Sequence, residues 1–252
     1  MKLNVAYESS IGRVRQKNED NAAYFYDDQD HLLAIVADGI GGNRAGEVAS
    51  KMAVDGIGKH FKTQSVTPGN VTQWFTEQIN QQNQEILGIS KQHQQLKGMG
   101  TTFVGVILFD HQFMVCNIGD SRGYLYRDHR LQQLTIDHSY VNELLRAGKI
   151  SKEELATSPY KHVIVRSLGI SEQAEPSIDQ GSIHLHDQFL LCSDGLTDLV
   201  SDSIIKLILE SSRTVHEKCQ KLVELANQNG GTDNITVLIS EVAADQGVDN
   251  ND

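Results

Sequence analysis

Residues 101–134 read TTFVGVILFDHQFMVCNIGDSRGYLYRDHRLQQL. Three strand-like runs, 101–109, 112–118 and 122–126, are separated only by Asp110-His111, by 119–121 and by 127–129. Connections of two or three residues cannot house a crossover helix, so the runs are expected to be antiparallel neighbours. That argues against a doubly wound parallel sheet and towards a β-rich architecture.

The pattern extends outward in both directions. The apolar run 32–37 is short and bounded by Asp-Gly, which predicts a buried strand with Asp38 at its exit. Ala45, Val48, Ala49, Met52 and Ala53 then recur on one helix face, with Asn43 expected as N-cap. Eight of the residues in 73–95 are Gln, yet Phe75, Ile79, Asn83, Ile86 and Leu87 keep a helical stripe, so an exposed helix is expected there. Residues 138–172 differ: a short helix carrying Val141, Leu144 and Leu145 ends near Gly148, and Ser151-x-x-Glu154 forms a capping box before an irregular stretch. This insert is a candidate lid. The run 188–193 leads as a strand into Asp194, and Ile204, Ile205, Ile208 and Leu209 mark a helix. Thr214-x-x-Glu217 caps another helix bearing Val215, Cys219, Leu222 and Val223, and 234–242 is a last strand.

A chain of 252 residues with 39% apolar content can bury one large core, and no Pro- or Ser-rich stretch divides it. One domain over residues 1–242, with 138–172 as its flap, and a disordered acidic tail at 243–252 are expected. The segment MKLNVAYESS has no apolar core, and no run is long enough to span a bilayer, so no membrane association and a cytoplasmic location are expected. Cys116, Cys192 and Cys219 lie in apolar surroundings at uneven spacing, as reduced core thiols do. The formal charge of −11 should repel nucleic acid. Much of that charge sits in Glu19, Asp20, Asp38, Asp120, Asp194 and Asp233, with Asp245, Asp249 and Asp252 in the tail.

Those six acids belong to a spaced series: Arg15-x-x-x-Glu19-Asp20, Asp38-Gly39-x-Gly41-Gly42, Gly119-Asp120-Ser121, Ser193-Asp194-Gly195 and Gly231-x-Asp233-Asn234. Asp before Gly is in general a turn residue, and no one of these motifs says more. As a set, acids at the ends of apolar strands provide the oxygen ligands that magnesium and manganese require.

In this order, and across residues 3–242, the motifs resemble the bacterial branch of the protein phosphatase 2C (PPM) family, metal-dependent hydrolases of phosphoserine and phosphothreonine. The resemblance implies an α+β fold, a four-layer α-β-β-α sandwich with two central antiparallel sheets flanked by helix pairs. It implies two divalent ions, manganese or magnesium, held by Asp38, the Gly39 carbonyl, Asp194 and Asp233. Such ions, about 3.5–4 Å apart, make a bridging hydroxide that attacks phosphorus in line. Arg15 takes the place of the family's phosphate clamp, and Glu19 and Asp20 of water-orienting acids behind the ligands. Asp120 and Asp194 match a pair that holds a weaker third ion. The implied partners are phosphoserine and phosphothreonine proteins and the Ser/Thr kinase that makes them, with the enzyme a monomer. Asn43 replaces a histidine of many bacterial members and Ile40 a histidine of eukaryotic ones, which leaves the leaving group without an obvious acid.

Other chemistries have weaker support. Cys116-x5-Arg122 matches the spacing of cysteine-dependent phosphatases, but Asp120 inside that loop would repel the phosphate, and an apolar strand would raise the thiol pKa. The glycines at 39–42 fail the dinucleotide spacing, since Arg44 stands sixth. His184 and His186 alternate as an exposed strand face would. A phosphatase-fold module that binds phosphoproteins with weak catalysis is the alternative function, and it predicts missing ligands; a nuclease or phosphodiesterase predicts a basic track that is absent.

Overall fold

The first strand, β1 (Lys2–Ser10), loops into β2 (Asn21–Tyr26), which turns back as β3 (Leu32–Ala37) and ends in the two-residue β4 (Gly39–Ile40). The computed structural model describes residues 2–41 and 45–244. Helices α1 (Gly46–Thr63) and α2 (Val71–Gln92) follow, then β5 (Gly100–Thr101), β6 (Phe103–Leu108), β7 (Gln112–Ile118), β8 (Arg122–Arg127) and β9 (Arg130–Gln133). The insert contributes α3 (Tyr140–Arg146) and α4 (Lys152–Thr157). The chain closes with β10 (Ser177–Ser182), β11 (Gln188–Cys192), α5 (Asp194–Thr197), α6 (Asp202–Glu210), α7 (Val215–Gln228) and β12 (Ile235–Ala243).

Two five-stranded antiparallel sheets result, β1-β12-β11-β8-β9 and β10-β7-β6-β3-β2. Their central strands are apolar on both faces because each face meets a core. In β3, Leu33, Ile35 and Ala37 pack with Phe61, Phe75 and Ile79 of α1 and α2. The alternate residues Leu32, Ala34 and Val36 face the other sheet, against Phe189, Leu191 and Leu238. On the far side, Leu190, Cys192, Val237 and Ile239 pack under α6 and α7 with Ile205, Cys219 and Leu222. Three apolar layers thus separate four structural layers, and the α+β, α-β-β-α sandwich expected from the sequence is the architecture.

The register of 101–134 departs from expectation at one link. β6 and β7 pair antiparallel, and β8 and β9 form a hairpin through Asp128 and His129, both at positive φ. β7 and β8, however, are not neighbours: Gly119, Asp120 and Ser121 carry the chain from one sheet to the other. The apolar pattern of both strands is satisfied either way, since each is buried on two faces, so the pattern alone could not choose the sheet.

Helix α2 is not the exposed helix its glutamines suggested. Trp74, Phe75, Ile79 and Ile86 are buried, and so are Gln78, bonded to His60, and Gln82. The helix is half of the pair covering a sheet, which makes its inward glutamines part of the α1–α2 contact. Helix α1 begins at Gly46, with Ala45 in the capping position and no side-chain cap from it. The expected cap Asn43 lies outside the described residues, as do residues 245–252; among the described residues, the Glu19 carboxyl lies against Gly46 at the positive end of the helix. Both capping boxes are formed, at Ser151 and Thr214. β12 runs one residue past the expected boundary at 242. His184 and His186 lie in the turn between β10 and β11, where the Asp187 carboxylate accepts from the His184 amide and His186 has φ of 70°. The predicted strand face for them does not exist. All three cysteines are buried and free.

Candidate metal centre

Strand alternation gathers the acids. β3 and β7 point one way between antiparallel neighbours, so their C-terminal ends share an edge of the sandwich with the start of β2; the end of β11 and the starts of β8 and β12 meet them from the second sheet. Asp38 follows β3, Asp120 links β7 to β8, Glu19 and Asp20 precede β2, Asp194 opens α5 after β11, and Asp233 precedes β12. Arg15, on the loop between β1 and β2, reaches in to donate to Asp233 Oδ2 at 2.7 Å. A cleft of about 570 Å³ is lined by Arg15, Glu19, Asp38, Gly39, Asp194 and Asp233, and a second pocket beside it by Asp120 and Asp194.

The backbone is pinned behind each acid. The Asp38 amide donates to Thr102 Oγ1 at 2.9 Å, and its carbonyl accepts from the Thr102 amide at 2.8 Å. Thr102 also shares a hydroxyl bond with Ser121, next to Asp120, at 2.7 Å. Asp20 lies beneath the cleft, where the Ser193 hydroxyl donates to its Oδ2 at 2.7 Å. Thus all eight site residues read from the sequence converge on one end of the molecule, six on the cleft, Asp120 in the adjoining pocket and Asp20 below.

Electrostatically the arrangement is incomplete by itself. Burial, then the neighbouring acids, push Asp38 well above the usual carboxylate range. Burial likewise raises Asp120 to about 8, Asp20 to about 7 and Asp194 to about 6. Three buried oxygens, Oδ1 of Asp20, Asp120 and Asp194, have no hydrogen-bond partner. Buried carboxylates without donors are costly, and hard divalent cations are the partners that such a donor set fits. Cys116, by contrast, is fully buried and burial pushes its thiol far up, which removes the cysteine-phosphatase reading.

Two further residues, absent from the motif series, stand near the site. His162, Asp194 and Asp198 each offer a ligand atom within 4.8 Å of the others. Asp198 sits four residues after Asp194, one helical turn on, a spacing that could have signalled it, whereas His162 arrives from the insert with no local signal. The insert is tied down at its base: His138 exchanges backbone bonds with Gly119 and Val165, and the Ser139 and Ile164 backbones bridge. Buried His138 Nδ1 accepts from the Gly119 amide at 3.2 Å, which leaves Nε2–H to donate to Ser177 Oγ at 2.8 Å.

That environment predicts a pH effect. Burial, then Arg166 and Arg146, lowers the His138 pKa from 6.5 to about 4. Between those values the unfolded chain binds a proton that the folded chain refuses, so the contribution is complete above pH 6.5 and is lost as pH falls towards 4. The loss amounts to about 3 kcal/mol. From pH 7 to 4 the parent should lose more melting temperature than His138→Gln, which has no such group to protonate; parallel curves would remove His138 as the cause.

The fold and the site together define a β-sandwich hydrolase class with a carboxylate cage and one arginine at its mouth. The sequence profile of Protein phosphatase 2C matches residues 10–230, and the chain belongs to that family. It is 42% identical over 241 residues to the serine/threonine phosphatase stp of Listeria monocytogenes serotype 4b, covering 95% of this chain and 96% of that protein. The serine/threonine phosphatase structure of S. agalactiae superposes with TM-score 0.91 at 34% identity, over 96% of this chain and all of that one. The catalytic domain of the phosphatase PstP in complex with two manganese ions superposes at 0.84 with 35% identity, over 96% and 99%.

Proposed function

We propose that this chain is a manganese- or magnesium-dependent protein serine/threonine phosphatase that hydrolyses phosphoserine and phosphothreonine in proteins. The observation that carries the reading is the convergence of Asp38, Asp194 and Asp233 on a cleft with Arg15 at its edge, with buried, unpartnered oxygens on Asp194 and on Asp20 and Asp120 beside it. Asp38, Asp194 and Asp233 with the Gly39 carbonyl would hold two ions, and Asp120 with Asp194 a weaker third. When bound, such ions supply Lewis acidity to phosphoryl oxygens and an acidified water as nucleophile.

The chain's own residues do the rest. Arg15 binds two phosphate oxygens through its planar fork and is half-exposed, as a group meeting a macromolecular substrate must be. The Asp233 carboxylate aims it. Glu19 lies against the N-terminus of α1 beside the cleft, and Asp20, fixed by Ser193, keeps one oxygen unpartnered that would orient a water of the metal site. The reading further assigns residues 1–242 to one catalytic domain with 138–172 as a substrate-selecting flap, since His162 and Ile164 of that insert line the cleft. It takes a bacterial Ser/Thr kinase as the opposing enzyme, a monomer as the working unit and the cytoplasm as its place. No helix among the described residues is long and apolar enough to cross a membrane.

The test is phosphate release from a phosphothreonine peptide with manganese, with magnesium and with chelator. Release with either metal, and none with chelator, is expected; folded, metal-loaded protein without turnover would leave the phosphoprotein-binding module, and chelator-resistant turnover would exclude the metal reading.

A further inference from the structure

The loop from residue 11 to 20 carries Arg15 and Glu19 yet contains no helix or strand. Its order has to come from elsewhere. The carboxamide of Asn234, buried next to Asp233, holds it at three points: Nδ2 donates to the carbonyls of Ile11 at 3.0 Å and Lys17 at 2.8 Å, and Oδ1 accepts from the Glu19 amide at 2.8 Å. The first two contacts straddle Arg15 in sequence. Together they fix the length of the bulge from which the guanidinium reaches Asp233. An asparagine suits this place because one planar group offers two donors and an acceptor at once, which neither Asp nor Ser can.

Other contacts reinforce the same seam. The Arg13 amide donates to the Gly231 carbonyl at 2.7 Å. Gly12, at φ of 80°, passes so close to the turn before β12 that a Cβ would overlap the Asp233 carbonyl oxygen and come within 2.8 Å of that of Gly231. The Asn234 amide donates to Asp233 Oδ1 at 2.8 Å, so the same residue also orients the acid that receives Arg15.

We propose that Asn234 is a positioning residue that sets the reach of Arg15 over the substrate phosphate. The inference rests on the reading of Arg15 as the phosphate clamp. Asn234 borders the cleft, but its carboxamide bonds go to the loop, so it acts by confining the loop, which would otherwise lose chain entropy each time it closed on a ligand.

Two readouts test it on the full-length protein. Arg13, Arg15 and Lys17 are tryptic sites within the loop. In chelator-treated protein, Asn234→Ala is expected to speed cleavage at 13–17 relative to cleavage elsewhere; an unchanged ratio overturns the proposal, because general destabilisation would raise all sites alike. In kinetics on a phosphothreonine peptide, Arg15→Ala and Asn234→Ala should each raise KM on the order of tenfold with a smaller change in kcat, and the double variant should add little. An Arg15→Ala enzyme with unchanged KM would sink the clamp reading itself. A raised KM for Arg15→Ala with multiplicative effects in the double variant would sink only the role of Asn234. Should Asn234→Ala fail to fold, Asn234→Asp keeps the acceptor for the Glu19 amide, loses both donors, and decides the same comparisons.

Discussion

Asp38→Asn is expected to lower turnover by about 10³-fold or more while the sandwich persists. The carboxylate stands at the exit of β3, surrounded by Asp20, Asp194, Asp120 and Asp233, with its backbone held by Thr102. Those backbone bonds do not involve the side chain, so the amide replacement keeps the shape of the turn. It removes the charge that best matches a divalent ion, and several kcal/mol of transition-state stabilisation go with it, about 1.4 kcal/mol for each factor of ten. Because Asp38 is pushed up by burial and by like charges, the metal-free variant should melt no lower than the metal-free parent. The rise in melting temperature on adding manganese, which for the parent reflects about 2.7 kcal/mol at a hundredfold excess over Kd, should shrink sharply. Thermal scanning with and without manganese, beside steady-state hydrolysis, checks both halves. A folded Asp38→Asn protein with undiminished rate would remove Asp38 from the mechanism.

Gly195→Ala should cost the fold itself about 3 kcal/mol or more, roughly 10 °C in melting temperature. A Cβ at this position would overlap the carbonyl oxygen of Asn234 and lie 2.9 Å from its carbonyl carbon. The obstacle is backbone, so no rotamer change relieves it; α5 or the start of β12 must move. Either movement displaces Asp194 or Asp233, and activity should fall in the molecules that still fold. Gly88 in α2 is the matched control, since a Cβ there meets nothing within 4 Å. Gly88→Ala should leave activity intact and stabilise by about 0.5–1 kcal/mol through helix propensity. Equal melting temperatures for the two variants would show that the close approach at Gly195 is not structural.

The candidate site was legible where chemistry is local. Asp38, Asp120 and Asp194 each follow a strand and adjoin a glycine, and Asp233 precedes one, so motif and strand end could be read together. What could not be read were relations across long separations. Glu19 lies against Gly46 at the start of α1, a helix 27 residues on. Asn234 bonds to a loop more than two hundred residues earlier, and nothing in its own neighbours marks that reach. His138 reaches Gly119 only because the insert folds back on the β7–β8 link.

The division between sequence and tertiary structure follows the range of the forces. Alternation, helix stripes, capping boxes and Asp-Gly turns are decided within a few residues, and they marked most of the strands and helices and the oxygen-rich donor set, while the four-layer class followed from the resemblance of the motif series to its family. The strand β8 is buried on both faces as β7 is, and only the packing of Tyr124 and Tyr126 with Leu190, Ile205 and Leu222 on the α6–α7 side decided that the chain crosses at Asp120. Packing also decided which oxygens of those acids find donors and which stay bare, because a hydrogen bond depends on where distant segments come to rest.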